Sequence, residues 1–187
     1  VVIHVLSLGA DFVELFIEKN QVNNIATVST DVQSVQSGID FGIGIRVVYG
    51  TKVLYGYTNK TDPDELSRIV GELAAKDLRD PATTSTAFDF VAPNDIHAAR
   101  DTLTAGASVE SKVAYLLRAD QAARAASNMI TQTRGSCMQR EQAVEIFNSE
   151  GLHTQDVRNY IRAAMTAIAS DGGEPVSYTH LTLPTKA

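Results

Sequence analysis

Tryptophan is absent from this 187-residue chain, cysteine occurs once, and no apolar run reaches the ~18 residues that a membrane-spanning helix needs. With Cys137 alone, neither an internal disulfide nor a cysteine-built structural zinc site can form, and Cys137 reads as a half-buried strand residue. Histidine is also sparse. His4, His97, His153 and His180 lie far apart, none has a second histidine at ligand spacing, and each reads as a surface or loop side chain. Lys and Arg total 16 against 22 Asp and Glu, a net charge of −6, with no basic run. That balance argues against a nucleic-acid surface, which needs clustered cations to displace counterions. No basic, signal-like segment opens the chain, so no membrane association and a cytoplasmic location are expected; the start at Val1 rather than methionine leaves an amino-terminal targeting segment open.

What the chain does have is strand periodicity. Hydrophobic residues make up 44% and charged residues 20%, ordinary for a globular domain of this length. The run from Ile39 to Asn59 joins two β-branched and aromatic stretches at Tyr49-Gly50-Thr51-Lys52 and predicts a β-hairpin, with Gly50 free to take a positive φ. Gly42 and Gly44 alternate with Ile43 and Ile45, which leaves bare backbone on one face where something must pack closely. Asp11 to Lys19 alternates with Val13, Leu15 and Ile17 inward. Asn20 to Asn24 has turn chemistry, and Ile25 to Gln36 predicts the next strand.

Val1 to Gly9 reads as a helix end with Gly9 as its stop. A second helix starts at Asp62, with Pro63 in the first position, Glu65 at capping-box spacing, and Leu66, Ile69, Val70 and Leu73 as its apolar stripe. Lys76 to Pro93 is a long connection in which Phe88, Phe90 and Val91 suggest a short strand. Ser108 opens a third helix whose expected apolar side is Val109, Val113, Leu116, Leu117, Ala123 and Ala126. Asn128 to Gln139 and Gln142 to Asn148 follow as strands, Asn148-Ser149-Glu150-Gly151 as a turn, and Thr154 to Ser170 as a long strand, although its alanines also suit a helix. The fold class is α+β: a twisted, mostly antiparallel sheet with two main helices packed on it.

Gly42-Ile43-Gly44-Ile45-Arg46-Val47, Tyr49-Gly50 and Gly56-Tyr57-Thr58-Asn59 resemble the amino-terminal domain of the TldD/PmbA family of zinc metallopeptidases, closest to the TldD branch. Gly9-Ala10-Asp11-Phe12-Val13-Glu14-Leu15, Gly38, the helix from Ser108 to Ala126, and Asn148-Ser149-Glu150-Gly151 with Asp156-Val157-Arg158 agree in the same order. On this resemblance residues 1–174 form the truncated amino-terminal domain. Residues 175–187 read as a non-native read-through tail, with His180 inside it. A carboxy-terminal domain carrying His-Glu-x-x-x-His, a distant cysteine and the zinc is expected outside this chain.

The residues themselves carry little chemistry. Gly42-Ile43-Gly44 is no phosphate loop, because Val47 takes the place of the last glycine and a strand continues. Glu14 and Glu18 read as solvated charges near Asp11, and Ser149 has no base beside it. Arg46 in an apolar strand needs a partner, either Asp40 or Glu14 or a passing peptide or second domain. Arg46, Tyr55 and Tyr57 are therefore the candidate substrate or domain contacts; no catalytic and no metal-ligating residue is assigned.

The resemblance implies the non-catalytic part of an enzyme that hydrolyses unfolded or extended peptides, helping to enclose a substrate chamber and to assemble a homodimer or a heterodimer with a PmbA-type subunit. The alternative is a non-enzymatic partner or protein-binding regulator, in the manner of a gyrase modulator, that scaffolds an active peptidase.

Overall fold

Period-two patterning dominates the chain, and strands dominate the fold. A computed structural model describes residues 1–77, 108–170 and 172, together with the backbone of 176–180. The elements in order are α1 (Val2–Ser7), β1 (Phe12–Val28), β2 (Asp31–Tyr49), β3 (Lys52–Thr58), α2 (Pro63–Ala74), α3 (Val109–Ala126), β4 (Ile130–Asn148), β5 (His153–Ala169) and β6 (Val176–His180). The strands lie in the order β3-β2-β1-β4-β5-β6. β2 with β3 and β5 with β6 pair antiparallel. The short β1–β2 and β4–β5 connections permit only antiparallel neighbours. The α+β class and the antiparallel sheet are those expected.

Two compact units divide the chain. One comprises Val1–Asn20, Asp40–Ala98 and Gln142–Val157; the other comprises Gln21–Ile39, Ala99–Glu141 and Arg158–Ala187. In the first, odd-numbered residues of β1 and β2 turn inward: Val13, Leu15, Ile43, Ile45, Val47 and Tyr49 are buried against Val5 of α1 and Ile69, Val70 and Leu73 of α2. Each such aliphatic side chain contributes about 1.5–3 kcal/mol on burial. Gly9 (φ 90°) ends α1 and Gly50 (φ 60°) makes the β2–β3 turn, where Tyr49 faces Lys52. Asp62 caps α2 by accepting from the Asp64 N–H at 3.0 Å. Glu65 does not complete the expected capping box; it bonds instead to Arg68, one turn on, whose guanidinium also reaches Glu72.

The second unit differs from expectation in three places. Asn20 to Asn24 makes no turn, because β1 continues through it and the chain reverses after Val28, with Ser29 at φ 54°. The cause is tertiary. Asn23 donates to Ser37 Oγ at 2.8 Å and accepts from Lys112 Nζ at 3.2 Å, so its amide is satisfied in an extended backbone. Likewise β4 runs unbroken through Gln139 to Gln142. Finally, α3 buries Lys112, Leu116 and Asp120, a stripe with one apolar member, while Leu117 is only half-buried. Leu116 packs with Ile25 and Cys137, and Val109, Val113 and Ile161 border them. Val176–His180, within the stretch set apart as a tail, pairs with β5 from Ala169 to Met165. Phe88, Phe90, Val91 and His97 lie outside the described residues.

Candidate functional site

Strand alternation fixes the first unit's candidate surface. With Ile43, Ile45 and Val47 inward, Gly42, Gly44 and Arg46 take the opposite face of β2. The β3 register sets Tyr55 across from Arg46 and Tyr57 across from Gly44. β3 is the last strand of the sheet, and Val53, Tyr55 and Tyr57 are all exposed, the two tyrosines by 69% and 67%. The three candidates are thus neighbours on one face. Tyr57 answers the question posed by the glycines: a side-chain carbon on Gly42 would fall 2.5 Å from its ring.

Arg46 is anchored from β1. Its Nε lies 3.4 Å from Glu14 Oε1, and its guanidinium carbon stands 5.2 Å from the centre of the Phe12 ring. Of the two acids considered for it, Glu14 is the partner and Asp40 is exposed. Such a half-exposed pair with a cation–π contact contributes only about 0.5–1 kcal/mol, so it orients the side chain more than it stabilises the fold. The carboxylates reasoned to be solvated are engaged: Glu14 by Arg46, and Glu18 by Gln142. Asp11 accepts from the Gly50 N–H, and Ser149 Oγ accepts from the Val13 N–H at 3.1 Å. Among the described residues, none of these groups faces another as an acid–base or nucleophile–base pair.

A second cluster in the same unit was not legible as such. His153 stacks on Phe147 at 4.2 Å between ring centres, and its Nε2 lies 2.7 Å from Glu145 Oε1, which also accepts from Gln155 at 2.8 Å. The Gln155 hydrogen bond, more than the contact with His153, holds the Glu145 carboxyl below its ordinary range against the opposing effect of burial. His153 is therefore a half-buried strand residue, not the surface or loop side chain expected. The signal was the symmetry of Glu145 and Phe147 with His153 and Gln155 about the Asn148–Gly151 turn, which makes them cross-strand neighbours. A cavity of about 220 Å³ adjoins, lined by Ile17, Lys19, Ala143, Glu145, Gln155 and Val157 among others.

In the second unit Asp120 Oδ1 accepts from Arg124 Nε at 2.9 Å and from the Thr133 hydroxyl, and Arg124 also donates to Ser29. Cys137 is buried rather than half-buried, and burial pushes its thiol up from its ordinary range. Among the described residues, no three His, Cys, Asp or Glu side chains gather closely enough to hold a metal, so the zinc implied by the resemblance finds no fit there. No described helix is long and apolar enough to cross a membrane.

The antiparallel sheet and its helices define a domain of α+β class. Residues 13–76 match the family model of PmbA/TldA metallopeptidase domain 1, and residues 104–182 match that of the PmbA/TldA metallopeptidase central domain, together about three quarters of the chain. The chain belongs to the TldD/PmbA family. A curated relative, the metalloprotease TldD homolog of Haemophilus influenzae, is 22% identical over 166 residues, 88% of this chain and 34% of that protein. Among solved structures, a candidate modulator of DNA gyrase from Bacteroides thetaiotaomicron aligns with a TM-score of 0.70 at 13% identity, over 94% of this chain and 41% of that one. TldE from Thermococcus kodakarensis aligns with a TM-score of 0.62 at 13% identity, over 93% and 39%. At such identities the structures show the fold. The chain spans about a third of the curated relative's length and about two fifths of each solved chain.

Proposed function

We propose that this chain is the amino-terminal, non-catalytic part of a TldD-type zinc metallopeptidase that hydrolyses peptide bonds in unfolded or extended peptides. The observation that carries the reading is the match to two successive domains of one metallopeptidase family. In this reading the zinc belongs to a carboxy-terminal domain bearing His-Glu-x-x-x-His. There the metal would polarise the scissile carbonyl and acidify a bound water.

The described residues bind and orient. Tyr55 and Tyr57 offer flat, amphipathic rings to a passing chain. Arg46, charge-balanced by Glu14, keeps donors free for carbonyl oxygens without attracting anions at long range. The same unit helps to enclose the substrate chamber and supports a homodimer, or a heterodimer with a PmbA-type subunit.

The test is to recover the full reading frame, express it, and measure bound zinc by elemental analysis together with cleavage of an unstructured peptide. The reading expects about one zinc per chain, lost when the motif histidines are replaced, by the stoichiometry of a catalytic site. It also expects the Tyr55→Ala/Tyr57→Ala variant to raise KM with kcat unchanged, the pattern of lost uniform binding. A folded protein that binds no zinc and cleaves no unstructured peptide under metal-replete conditions would overturn it in favour of a non-enzymatic partner subunit or regulator.

A further inference from the structure

The second unit buries a positive charge that has no ion-pair partner among the described residues. Lys112 is 8% exposed, and of the three donors on its ammonium one goes to Asn23 Oδ1 at 3.2 Å. That acceptor is neutral, and no ion pair among the described residues includes Lys112. Buried charges are ordinarily paired, because leaving water without a counter-charge is costly. The lysine lines a cavity of about 300 Å³, whose place in this unit follows from strand register. The Ser29 N–H bonds to the Thr133 carbonyl, a side-chain carbon on Gly135 would meet Thr27 Oγ1, and Ile25 packs with Cys137. The same alternation next sets Asn23 beside Gln139 and then Gln21 beside Glu141 on the face that α3 covers. Ser37 of β2 joins this floor through its bond with Asn23. α3 places Leu116 on Ile25 and Cys137, and Lys112 one turn earlier on Asn23; the helix begins at Val109, and the cavity opens there over the floor.

We propose that this cavity binds a free α-amino acid, with the ligand's carboxylate on Lys112 and its ammonium on Glu141. Glu141 selects a zwitterion over a plain anion, because a carboxylate in the same small cavity repels any anion that brings no positive charge of its own. The start of α3 is not the anchor. There the Glu110 carboxylate already accepts from the Ser108 hydroxyl, whose oxygen in turn accepts from the Ser111 N–H at 3.2 Å. The ligand's own side chain meets Gln21 and Ser37, both exposed, beside Val22 and Val109. Polar groups next to short apolar ones suit a carboxamide on an aliphatic stem, as in glutamine. The volume lies at the lower end of the roughly 300–1,000 Å³ usual for small-molecule sites, the size for a single residue rather than a longer peptide. The inference goes beyond the peptidase reading and does not rest on it.

The experiment is an NMR titration of this chain, isotope-labelled, with L-glutamine, with glutaramate, which lacks the ammonium, and with glutaminamide, which lacks the carboxylate. The expected result is saturable movement of the Asn23 and Gln139 side-chain amide signals by L-glutamine, with a Kd of about 1 mM or tighter. Either truncated probe should bind at least about tenfold more weakly, the loss of one charge-assisted contact. Lys112→Met should abolish the glutamine response on a protein with unchanged circular dichroism. Gln21→Trp, at an exposed position on the cavity, should weaken it several-fold while leaving Lys112 in place, so the test survives if Lys112→Met fails to fold. No saturable movement at tens of millimolar glutamine overturns the proposal. So does equal affinity for glutaramate, which reduces the site to a plain anion hole, or for glutaminamide, which removes Lys112 from it. A glutamine response unchanged in both variants overturns it as well, by placing the binding elsewhere. The titration needs neither zinc nor cleavage, so its failure leaves the peptidase reading standing.

Discussion

Adding one methyl group at Gly56 should cost stability that a second, ordinarily harmful, truncation restores in part. A side-chain carbon there would lie 2.5 Å from Ile69 Cγ2 and 3.2 Å from Leu73 Cδ1. Ile69 and Leu73 are 7% and 3% exposed, and Cγ2 sits on a stiff β-branched carbon, so α2 must shift. Overpacking of this kind costs about 1–3 kcal/mol, offset by about 0.5–1 kcal/mol because alanine loses less backbone freedom than glycine on folding. Gly56→Ala is therefore expected to destabilise by about 1–2 kcal/mol. Ile69→Ala alone should cost about 2–5 kcal/mol by leaving a cavity. The double variant fills part of that cavity with the new methyl group, so urea unfolding should show a favourable coupling of about 1 kcal/mol or more at unchanged m. Gly42→Ala is the control: its new carbon would meet the Tyr57 ring, but that ring is exposed and can swing aside, and the cost should stay under about 1 kcal/mol. Additivity at Gly56 and Ile69, or an equal cost at Gly42, would refute the packing argument.

Asp120→Ala should destabilise the second unit by about 2–4 kcal/mol, because it leaves Arg124 and the buried Thr133 hydroxyl without their shared acceptor; Asp120→Asn should recover part of the loss in the same urea titration. Acid sensitivity should trace in part to Glu145. Its folded carboxyl is held below the ordinary value of 4.5, chiefly by Gln155, so the stabilisation is present above that value and fades as pH falls through the lower folded one. Gln155→Ala should accordingly flatten the decline in stability below pH 4.5; an identical acid limb in the variant would show that the bond contributes nothing.

Local patterns made the first unit legible. The Gly50 turn, the Asp62 start and the Ile69-Val70-Leu73 stripe each follow from a few adjacent residues, and each stands where expected. Arg46 and the two tyrosines could be brought together on paper because a two-residue turn fixes the register of everything behind it. The second unit resisted because its decisive contacts are long-range. Asn23 looks like turn chemistry until Lys112, 89 residues away, supplies a partner, and nothing in the local sequence announces Thr133 as the partner of Asp120 or Ser29 as that of Arg124. His153 differs: its contacts with Glu145 and Phe147 are local, and they follow from the Asn148–Gly151 turn once the register behind that turn is counted out.

The stripe Lys112, Leu116, Asp120 also bears on how α3 finds its place. A helix docked by leucines alone can slide a turn and lose little. Moving α3 by four residues would push the Lys112 ammonium into the contact with Ile25 and Cys137, carry Leu116 to the hydroxyl of Thr133, and strand both charges without partners. Unpaired buried charge costs several kcal/mol, on the order of a small domain's whole stability. The two polar anchors, one turn either side of a single leucine, thus act as a key cut for one lock position, and selectivity of placement comes from how badly every neighbouring position fits.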